Sequence, residues 1–338
     1  MPPQPMGRFK VGEYTVNYGP VMSAEKQIIA IPAEFAGLRL DQALARMFPQ
    51  YSRSRLKEWL LAGAITVEGG AKRPRVAVSG GEMVSLQPQA EIEVRAEAEA
   101  ISLTIAFEDD ELLVVNKPAG LVVHPGAGNP AGTLMNGLLH HVPKLEEIPR
   151  AGIIHRLDKD TSGLLLVAKT LTTHTALVRL LADREISRHY LAVCGGVLTG
   201  GSTVDEPIGR HPVDRKRMSV QRNGKPAVTH YTVKERFAAF TYVDVKLETG
   251  RTHQIRVHFA HRRHPLVGDQ VYGGRLALPK GASEELIQTL RHFKRQALHA
   301  TRLAFEHPVS GELVDLDVEP PKDFQTLIEV MRRDMKNA

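Results

Sequence analysis

The sequence predicts an α+β fold in two domains, a small basic module followed by a large domain built on a mixed sheet. The chain has 338 residues, which is long for one domain and comfortable for two. Strand-like and helix-like segments do not alternate strictly, and this favours a mixed sheet over a doubly wound parallel one. Residues 39–75 hold eight Lys or Arg against three acids, whereas residues 82–111 hold nine acids against Arg95 alone. This reversal of charge indicates a boundary between the two domains.

The small module is predicted at residues 36–90, after a loose tail at residues 1–35 that opens with Pro, Gly and polar residues in no regular period. Two short helices are predicted in LDQALARMF and SRSRLKEWLLAG, because their apolar residues recur on one helical face. Two short strands are predicted at 64–67 and 82–86. These elements describe a compact α/β module with a basic surface.

The large domain is predicted at residues 101–330, and the stretch 91–100 before it has the composition of a linker. Apolar periodicity predicts strands in LTIAF and LLVVN and at 164–169, 189–194 and 241–248, with helices near 133–141 and 172–183 and in LIEVMRRDM. We find no internal repeat of fixed period.

The composition excludes several classes of protein. Apolar residues make up 42% of the chain and charged residues 24%, which is typical of globular proteins and rules out a chain disordered throughout. Cys194 is the only cysteine, so disulfide scaffolds, thiolate zinc sites and CxxC redox chemistry are excluded. No apolar run approaches the roughly 20 residues that span a bilayer, and the N-terminus does not resemble a signal peptide. We therefore expect a soluble protein of the cytoplasm with no membrane contact.

Two segments could suggest a cofactor or a metal, and neither has the pattern for it. HPGAGNPAG contains Gly126, Gly128 and Gly132, but their spacing is not that of a phosphate-binding loop, so no nucleotide cofactor is expected. RTHQIRVHFAHRRH places four His among four Arg without a carboxylate, and the arginines would repel a metal cation. We therefore expect no cofactor and no metal.

Basic residues cluster in three separate parts of the chain, although the net charge is only +6. The clusters lie at 39–75, at 251–264 and at 210–225, where six basic residues face Asp214 alone. A single basic run is usually a solvated surface, but three in one chain favour a polyanion as the partner.

The segment HRLDKDTSGLLLVAKT has the highest density of chemically active groups. Asp158 and Asp160 flank a lysine directly before a buried-looking strand, where an unpaired carboxylate would be costly. The pattern fits a capped turn with surface ion pairs as well as a catalytic carboxylate that cationic partners keep ionised. Glycoside hydrolysis by both carboxylates needs a separation of about 5–9.5 Å, which residues two apart in a turn do not assure.

This segment closely resembles a signature of the RluA-type pseudouridine synthases. VVNKPAGLVVHPGAG and LETGRTHQIRVHFAHRRHPLVGDQVYGG are similar to further motifs of that family, in the family's order. LDQALARMFPQYSRSRLKEWLLAGAITVEG resembles the S4 RNA-binding module that often precedes its catalytic domain. The resemblance covers about residues 36–330 and implies the pseudouridine synthase fold, a mixed and largely antiparallel sheet with flanking helices and loops.

The resemblance implies an isomerase that needs no cofactor: the bond from N1 of uracil to C1′ of ribose breaks, the base turns, and C5 joins C1′. By match to the family motifs, Asp158 is the catalytic carboxylate, acting at C1′ or on the base. Tyr190 matches the tyrosine that packs on the uracil and can help remove the proton from C5. Arg256 matches the basic partner that keeps the aspartate ionised. Arg156 matches the residue that helps hold the target base out of the stack.

RHPVDRKRMSV, GKPAVTHY and RQALHATRLAFEHPVSGE resemble members that act on large-subunit (23S) ribosomal RNA, and they imply the stem-loop called helix 69 as the target. We expect Arg215, Lys216 and Arg217 to bind this RNA from a hairpin arm. The expected partner is ribosomal RNA, free or within an assembling particle, and the expected state is a monomer. Two alternatives remain open: a non-catalytic RNA-binding or ribosome-assembly factor, and a synthase of this family for another rRNA or tRNA site.

Overall fold

The computed structural model describes residues 8–11, 14–17, 26–49, 51, 53–87, 96–126, 128–214, 217–274 and 278–337. The chain divides into two compact units, Met1–Arg95 and Ala96–Ala338. No helix in these described ranges is long and apolar enough to cross a membrane.

The smaller unit packs two helices against a three-stranded antiparallel sheet of order β3–β5–β4. Its elements are β1 (Arg8–Val11), β2 (Tyr14–Asn17), β3 (Gln27–Ala30), α1 (Leu40–Met47), α2 (Arg53–Leu61), β4 (Ile65–Val67) and β5 (Met83–Leu86). The predicted apolar faces are buried: Leu44 and Leu60 pack in one cluster with Ile65 and Leu86. Burial of these faces is the main stabilising contribution in so small a unit.

The predicted tail is wrong for residues 27–35. Gln27–Ala30 form β3, which pairs with β5, and Ile31 beyond it is 1% exposed. The strand escaped notice because Ile28 and Ile29 are adjacent apolar residues that are both exposed, so no alternation marks a buried face. Main-chain hydrogen bonds to β5, rather than a side-chain pattern, define this strand.

The larger unit contains a nine-stranded sheet among its described residues, with the order β10–β13–β14–β9–β15–β8–β7–β6 and β16 beside β15. The pairs are antiparallel except for β15 with β8, which are parallel. The prediction of a mixed, largely antiparallel sheet in an α+β fold is therefore confirmed. The strands are β6 (Ile105–Glu108), β7 (Leu112–Lys117), β8 (Ser162–Ala168), β9 (Ser187–Gly195), β10 (Ser202–Asp205), β11 (Ile208–Arg210), β12 (Met218–Val220), β13 (Val228–Arg236), β14 (Phe240–Leu247), β15 (Leu298–Glu306) and β16 (Leu313–Asp317), and the helices are α3 (Leu134–His141), α4 (Leu171–Ala182), α5 (Gln254–His261), α6 (Glu284–His292) and α7 (Lys322–Asn337).

Two predicted boundaries of this unit need correction. The predicted linker 91–100 falls partly outside the described residues, at 91–95, but 96–100 are docked on α3: the Glu99 amide donates to the Asn136 carbonyl, and the Asn136 side chain donates to the Glu97 carbonyl at 2.7 Å. Acidic composition suggested a free linker, whereas backbone pairing fixes the segment. The domain also extends past residue 330, because α7 continues to Asn337.

The strand β8 positions the loop that precedes it. All seven of its residues are buried, as expected for a strand flanked on both sides and covered on both faces. At its start Gly163 has a φ of +113°, and a Cβ there would lie 2.1 Å from the Ala300 carbonyl oxygen of β15. Only glycine permits this approach, so the loop 154–161 emerges at a fixed place beside β15.

Candidate active site

Asp158 lies in the loop that leads into β8, at the edge of a cleft. Its carbonyl accepts a hydrogen bond from the Thr161 amide at 3.0 Å, which closes a tight turn. The buried ammonium of Lys117 donates to the carbonyls of Lys159, Pro118 and Leu121 at 2.8–2.9 Å and so ties this turn to the loop after β7. The Asp158 side chain is 14% exposed, so it is desolvated but accessible to a ligand.

Arg256 on α5 joins Asp158 to a second, fully buried carboxylate. Its Nη1 donates to Asp158 Oδ2 at 2.9 Å, while Nε and Nη2 donate to the two oxygens of Asp269 at 2.7 and 3.0 Å. Burial alone would raise the pKa of Asp269, but the hydrogen bonds and charge of Arg256 outweigh it and hold that pKa below its usual value. The same contacts raise the pKa of Arg256 despite burial. The guanidinium is therefore a fixed positive charge against Asp158.

Tyr272 and His253 complete the surroundings of this ion pair. The Arg256 guanidinium lies 5.1 Å from the centre of the Tyr272 ring, a cation–π distance. The Tyr272 hydroxyl is hydrogen-bonded to His253 Nδ1 at 2.8 Å and accepts from the Met218 amide at 2.9 Å. His253 Nε2 lies 3.8 Å from Asp158 Oδ1, so the aspartate has a basic neighbour on each oxygen.

Tyr190 on β9 lines the same cleft, with 5% of its surface exposed. Burial raises the pKa of its phenol, the nearby Arg188 opposes this, and Asp158 adds to it. The phenol is therefore neutral at physiological pH. It can pack against a flat ligand and donate one hydrogen bond there.

The cleft has a volume of about 610 Å³. Four predicted site residues line it together, namely Asp158, Tyr190, Arg256 and Arg156. The exposed Arg156 has Nη1 3.4 Å from His124 Nε2. Asp160 is not among the lining residues, so the structure gives no second carboxylate from this turn for glycoside hydrolysis.

Of the three residues predicted to bind RNA from a hairpin arm, the structure describes one. Arg215 and Lys216 lie outside the described residues, between β11 and β12, which pair as an antiparallel hairpin. Arg217 lies over the Tyr272 ring, 5.2 Å from its centre, and is half-buried rather than free on the arm. The hairpin is thus linked to the Arg256 environment through Tyr272.

The four histidines of the basic segment do not converge. His258 is hydrogen-bonded to the Thr229 hydroxyl and the Glu206 carbonyl, each at 2.9 Å. His264 reaches the Gly195 carbonyl at 2.8 Å, and His253 faces Tyr272. Within the described residues no group of three or more His, Cys, Asp or Glu could hold a metal ion.

Three residues beside Asp158 and Arg256 were missed by sequence reasoning: Lys117, Asp269 and Tyr272. Lys117 ends an apolar strand run, and a lysine in that position is a signal for a buried ammonium that needs carbonyl partners. Asp269 is the first acid after the arginine-rich segment, a weaker signal. Tyr272 lies in a segment that resembles a family motif, but no role was assigned to it, and its contacts with Arg217 and Met218 come from a distant part of the chain.

Bacterial proteins match this chain over most of its length. It is 57% identical over 302 residues to the ribosomal large subunit pseudouridine synthase D of Salmonella typhimurium, covering 89% of this chain and 93% of that protein. The chain belongs to the RluA-type RNA pseudouridine synthases. This synthase is also 52% identical over 319 residues to the protein of the same name from Xanthomonas campestris, covering 94% and 96% of the two chains.

The RNA pseudouridylate synthase family profile matches residues 111–261 of the synthase, and the S4 domain profile matches residues 38–84. Human RNA Pseudouridylate Synthase Domain Containing 4 has a similar structure, with a TM-score of 0.53 and 26% identity over 68% of this chain and 93% of that one. Human RNA Pseudouridylate Synthase Domain Containing 1 gives 0.51 and 27% over 66% and 86%. The predicted family and the predicted enzyme class, an isomerase, are confirmed. The roles of the individual site residues stay predictions.

Proposed function

We propose that this synthase isomerises uridines of large-subunit (23S) ribosomal RNA to pseudouridine, in the helix 69 stem-loop. The observation that carries the proposal is the accessible carboxylate of Asp158, held at 2.9 Å by Arg256 beside Tyr190 in one cleft. The choice of RNA rests on the relatives named ribosomal large subunit pseudouridine synthase D. The three segments that resemble large-subunit rRNA enzymes support the same target.

In this proposal Asp158 attacks the nucleotide, at C1′ or on the base, with its carboxylate held in place by the hydrogen bond from Arg256. The bond from N1 to C1′ breaks, the uracil turns, and C5 joins C1′; the bond to Asp158 breaks again, and the proton of C5 leaves as N1 gains one. The raised pKa of Tyr190 makes tyrosinate scarce near neutral pH, so we assign this residue to packing on the uracil rather than to removal of the C5 proton.

The target uridine must leave its stack before it can reach Asp158. Arg156 is exposed on the cleft, where a guanidinium can take the place of the departed base and pair with its former neighbours. We propose this role for Arg156. We further propose that the protein works as a monomer in the cytoplasm.

The test is pseudouridine mapping of ribosomal RNA from cells that lack the gene, with and without the gene restored. We expect pseudouridine to disappear from helix 69 and to return with the intact gene. Loss confined to another rRNA site or to tRNA would contradict the target and leave the enzyme class standing. Normal pseudouridine together with defective ribosome assembly would instead support a non-catalytic RNA-binding factor.

The S4 domain should supply affinity rather than chemistry. Lys72, Arg73 and Arg75 are exposed in the smaller unit, and phosphate contacts position a protein without reading sequence. Replacing all three by Ala should weaken RNA binding and reduce the slope of log K against log salt by about 2 to 3. Catalysis at saturating enzyme should be nearly unchanged. Binding measured across a salt series checks this, and an unchanged slope would remove these residues from the RNA surface.

The basic hairpin should act on the target loop. The double change Arg215→Ala, Lys216→Ala should reduce activity on a helix 69 stem-loop far more than it reduces binding to unrelated RNA. The control removes the same charge at Arg291 and Lys294, which are exposed elsewhere in the larger unit. Initial rates with both RNAs give the comparison, and equal losses in the two double variants would contradict a specific grip by the hairpin.

A further inference from the structure

Arg188 is a buried cation in the cleft that the proposed chemistry does not use. It lies two residues before Tyr190 on β9, so both side chains are on the same face of the sheet, and both line the cleft. Only 5% of Arg188 is exposed. Its Nη2 makes one long contact, 3.3 Å to the Glu248 carbonyl, and its buried Nε has no hydrogen-bond partner in the described part of the chain.

The charge of Arg188 is uncompensated. Among the described residues no carboxylate lies within 4 Å of it; the nearby Glu248 side chain pairs with Arg184 and with His230 instead. The neighbouring His155 cannot help, because burial and the charge of Arg188 lower its pKa to about 3. A guanidinium remains protonated even when it is buried without a counter-ion. The site therefore carries a full positive charge, with N–H donors of Arg188 that the described residues leave unused.

Gly250, Arg150 and Arg184 line the same cleft as Arg188. Gly250 leaves room for it, since a Cβ there would lie 2.9 Å from Arg188 Nη1. Arg150 and Arg184, which also line the cleft, have left-handed φ values of 55° and 65°. Such conformations are costly for residues other than glycine and persist where the surroundings enforce them. Arg150, Arg184 and Arg188 therefore all line the cleft, and the buried Arg188 has no anionic partner among the described residues.

We propose that Arg188 binds a backbone phosphate of the RNA strand next to the flipped nucleotide, with Arg184 and Arg150 at the outer side of the same site. The identity of the anion as an RNA phosphate rests on the proposed function, but the inference of an anion site at Arg188 does not rest on it. A fork of guanidinium donors fits phosphate oxygens, and a low-exposure site makes such charged hydrogen bonds strong. Arg188 would then position the target rather than act on it.

The first experiment needs no turnover. Thermal unfolding of the full-length protein is followed with and without inorganic phosphate, for the wild type, Arg188→Leu, Arg188→Lys and a control, Arg236→Leu. Arg236 is exposed, and its guanidinium donates to the carbonyls of Leu198 and Thr199 at 2.8 and 2.7 Å. Without phosphate, Arg188→Leu should unfold no lower than the wild type, because an unpaired buried charge is removed.

Phosphate should raise the midpoint of the wild type, Arg188→Lys and the control more than that of Arg188→Leu, since the general salt effect is common to all four proteins and an anion bound at Arg188 adds to it. A lower midpoint of Arg188→Leu, with the same phosphate effect as the wild type, would overturn the proposal and make Arg188 structural.

The second experiment uses a helix 69 stem-loop with one uncharged methylphosphonate, placed on the 5′ or the 3′ side of the target uridine. With the natural RNA, Arg188→Leu should have a kcat/KM about 10- to 100-fold lower than the wild type. One of the two methylphosphonates should reduce the wild-type rate by a similar factor and leave Arg188→Leu unaffected. Equal sensitivity of both proteins at both linkages would overturn the proposal. Absence of wild-type turnover on any large-subunit RNA would instead refute the proposed function, while the phosphate experiment still decides the anion site.

Discussion

Asp158→Asn is expected to abolish pseudouridine formation, with a loss of at least about 10⁴-fold, while fold and RNA affinity stay largely intact. The amide keeps the shape of the side chain, and its oxygen can still accept the 2.9 Å hydrogen bond from Arg256. It has no negative charge with which to attack the nucleotide. Single-turnover assays with mapped product, beside RNA binding and thermal unfolding, measure the three properties separately.

The matched control is Asp160→Asn, two residues along the same loop and outside the cleft lining. We expect this variant to keep most of its activity, because the same charge is removed without touching the reacting carboxylate. Normal turnover by a pure, folded Asp158→Asn protein would withdraw the catalytic role from Asp158. Equal losses in the two variants would point to the loop rather than to one carboxylate.

Arg256→Ala is expected to damage both catalysis and stability. The change leaves Asp269, whose side chain is 0% exposed, as an unpaired buried charge, which costs about 3–5 kcal/mol. It also removes the hydrogen-bonded cationic partner that holds the Asp158 carboxylate in place, so kcat should fall more than RNA affinity. Arg256→Lys should restore only part of each property, because an ammonium cannot bridge two carboxylates as the planar fork does.

Arg302→Ala is the control for stability, since Arg302 forms a similar pair with Asp315 on an exposed surface. Such an exposed pair contributes about 0–1 kcal/mol, so this variant should unfold close to the wild type. Calorimetry and denaturant unfolding provide the comparison. Equal destabilisation by the two changes would show that burial of the Arg256 pair does not determine its contribution to stability. An Arg256→Ala protein that is unstable but fully active would show that Arg256 has a structural rather than a catalytic role.

The contribution of Asp269 to the free energy of unfolding should depend on pH with opposite signs in the wild type and in Arg256→Ala. In the wild type the pKa of Asp269 is held below its unfolded value near 3.9, so its contribution is present above about pH 4 and is lost as pH falls through the folded pKa. Without Arg256, burial dominates and raises that pKa. The stability deficit of Arg256→Ala should therefore narrow as pH falls from 7 towards 4, because Asp269 can become neutral.

The secondary structure of the larger unit could be predicted only in part from the sequence, since β10–β13, β15, β16, α5 and α6 were not predicted. The helices predicted near 133–141 and 172–183 are found at Leu134–His141 and Leu171–Ala182. The strand β3 could not be predicted in this way, since it shows no apolar alternation. The apolar run of β8, which is buried along its whole length, could be read from the sequence, whereas β3 is defined by main-chain pairing with β5.

The residues of the candidate site also differ in how far they could be predicted from the sequence. Asp158 and Arg256 are 98 residues apart in the chain, and their pairing was expected only through resemblance to a family. Asp269 lies in a segment that resembles a family motif, but neither it nor Arg188 was assigned a role from the sequence. Their importance follows from their surroundings in three dimensions. Asp269 has a bidentate partner, whereas Arg188 lacks a counter-ion among the described residues.

The position of Tyr272 has a consequence for selectivity. Its ring lies against the guanidinium groups of Arg217 and Arg256, and its hydroxyl holds the Met218 amide at the start of β12. A movement of the hairpin would therefore alter the contacts of Tyr272, and with them the surroundings of the Arg256–Asp158 ion pair. If the hairpin binds the RNA as proposed, an RNA that contacts it poorly would be bound but processed slowly. Discrimination between correct and incorrect RNAs should accordingly appear in kcat more than in KM, because the RNAs would differ in the rate of the chemical step rather than in binding affinity.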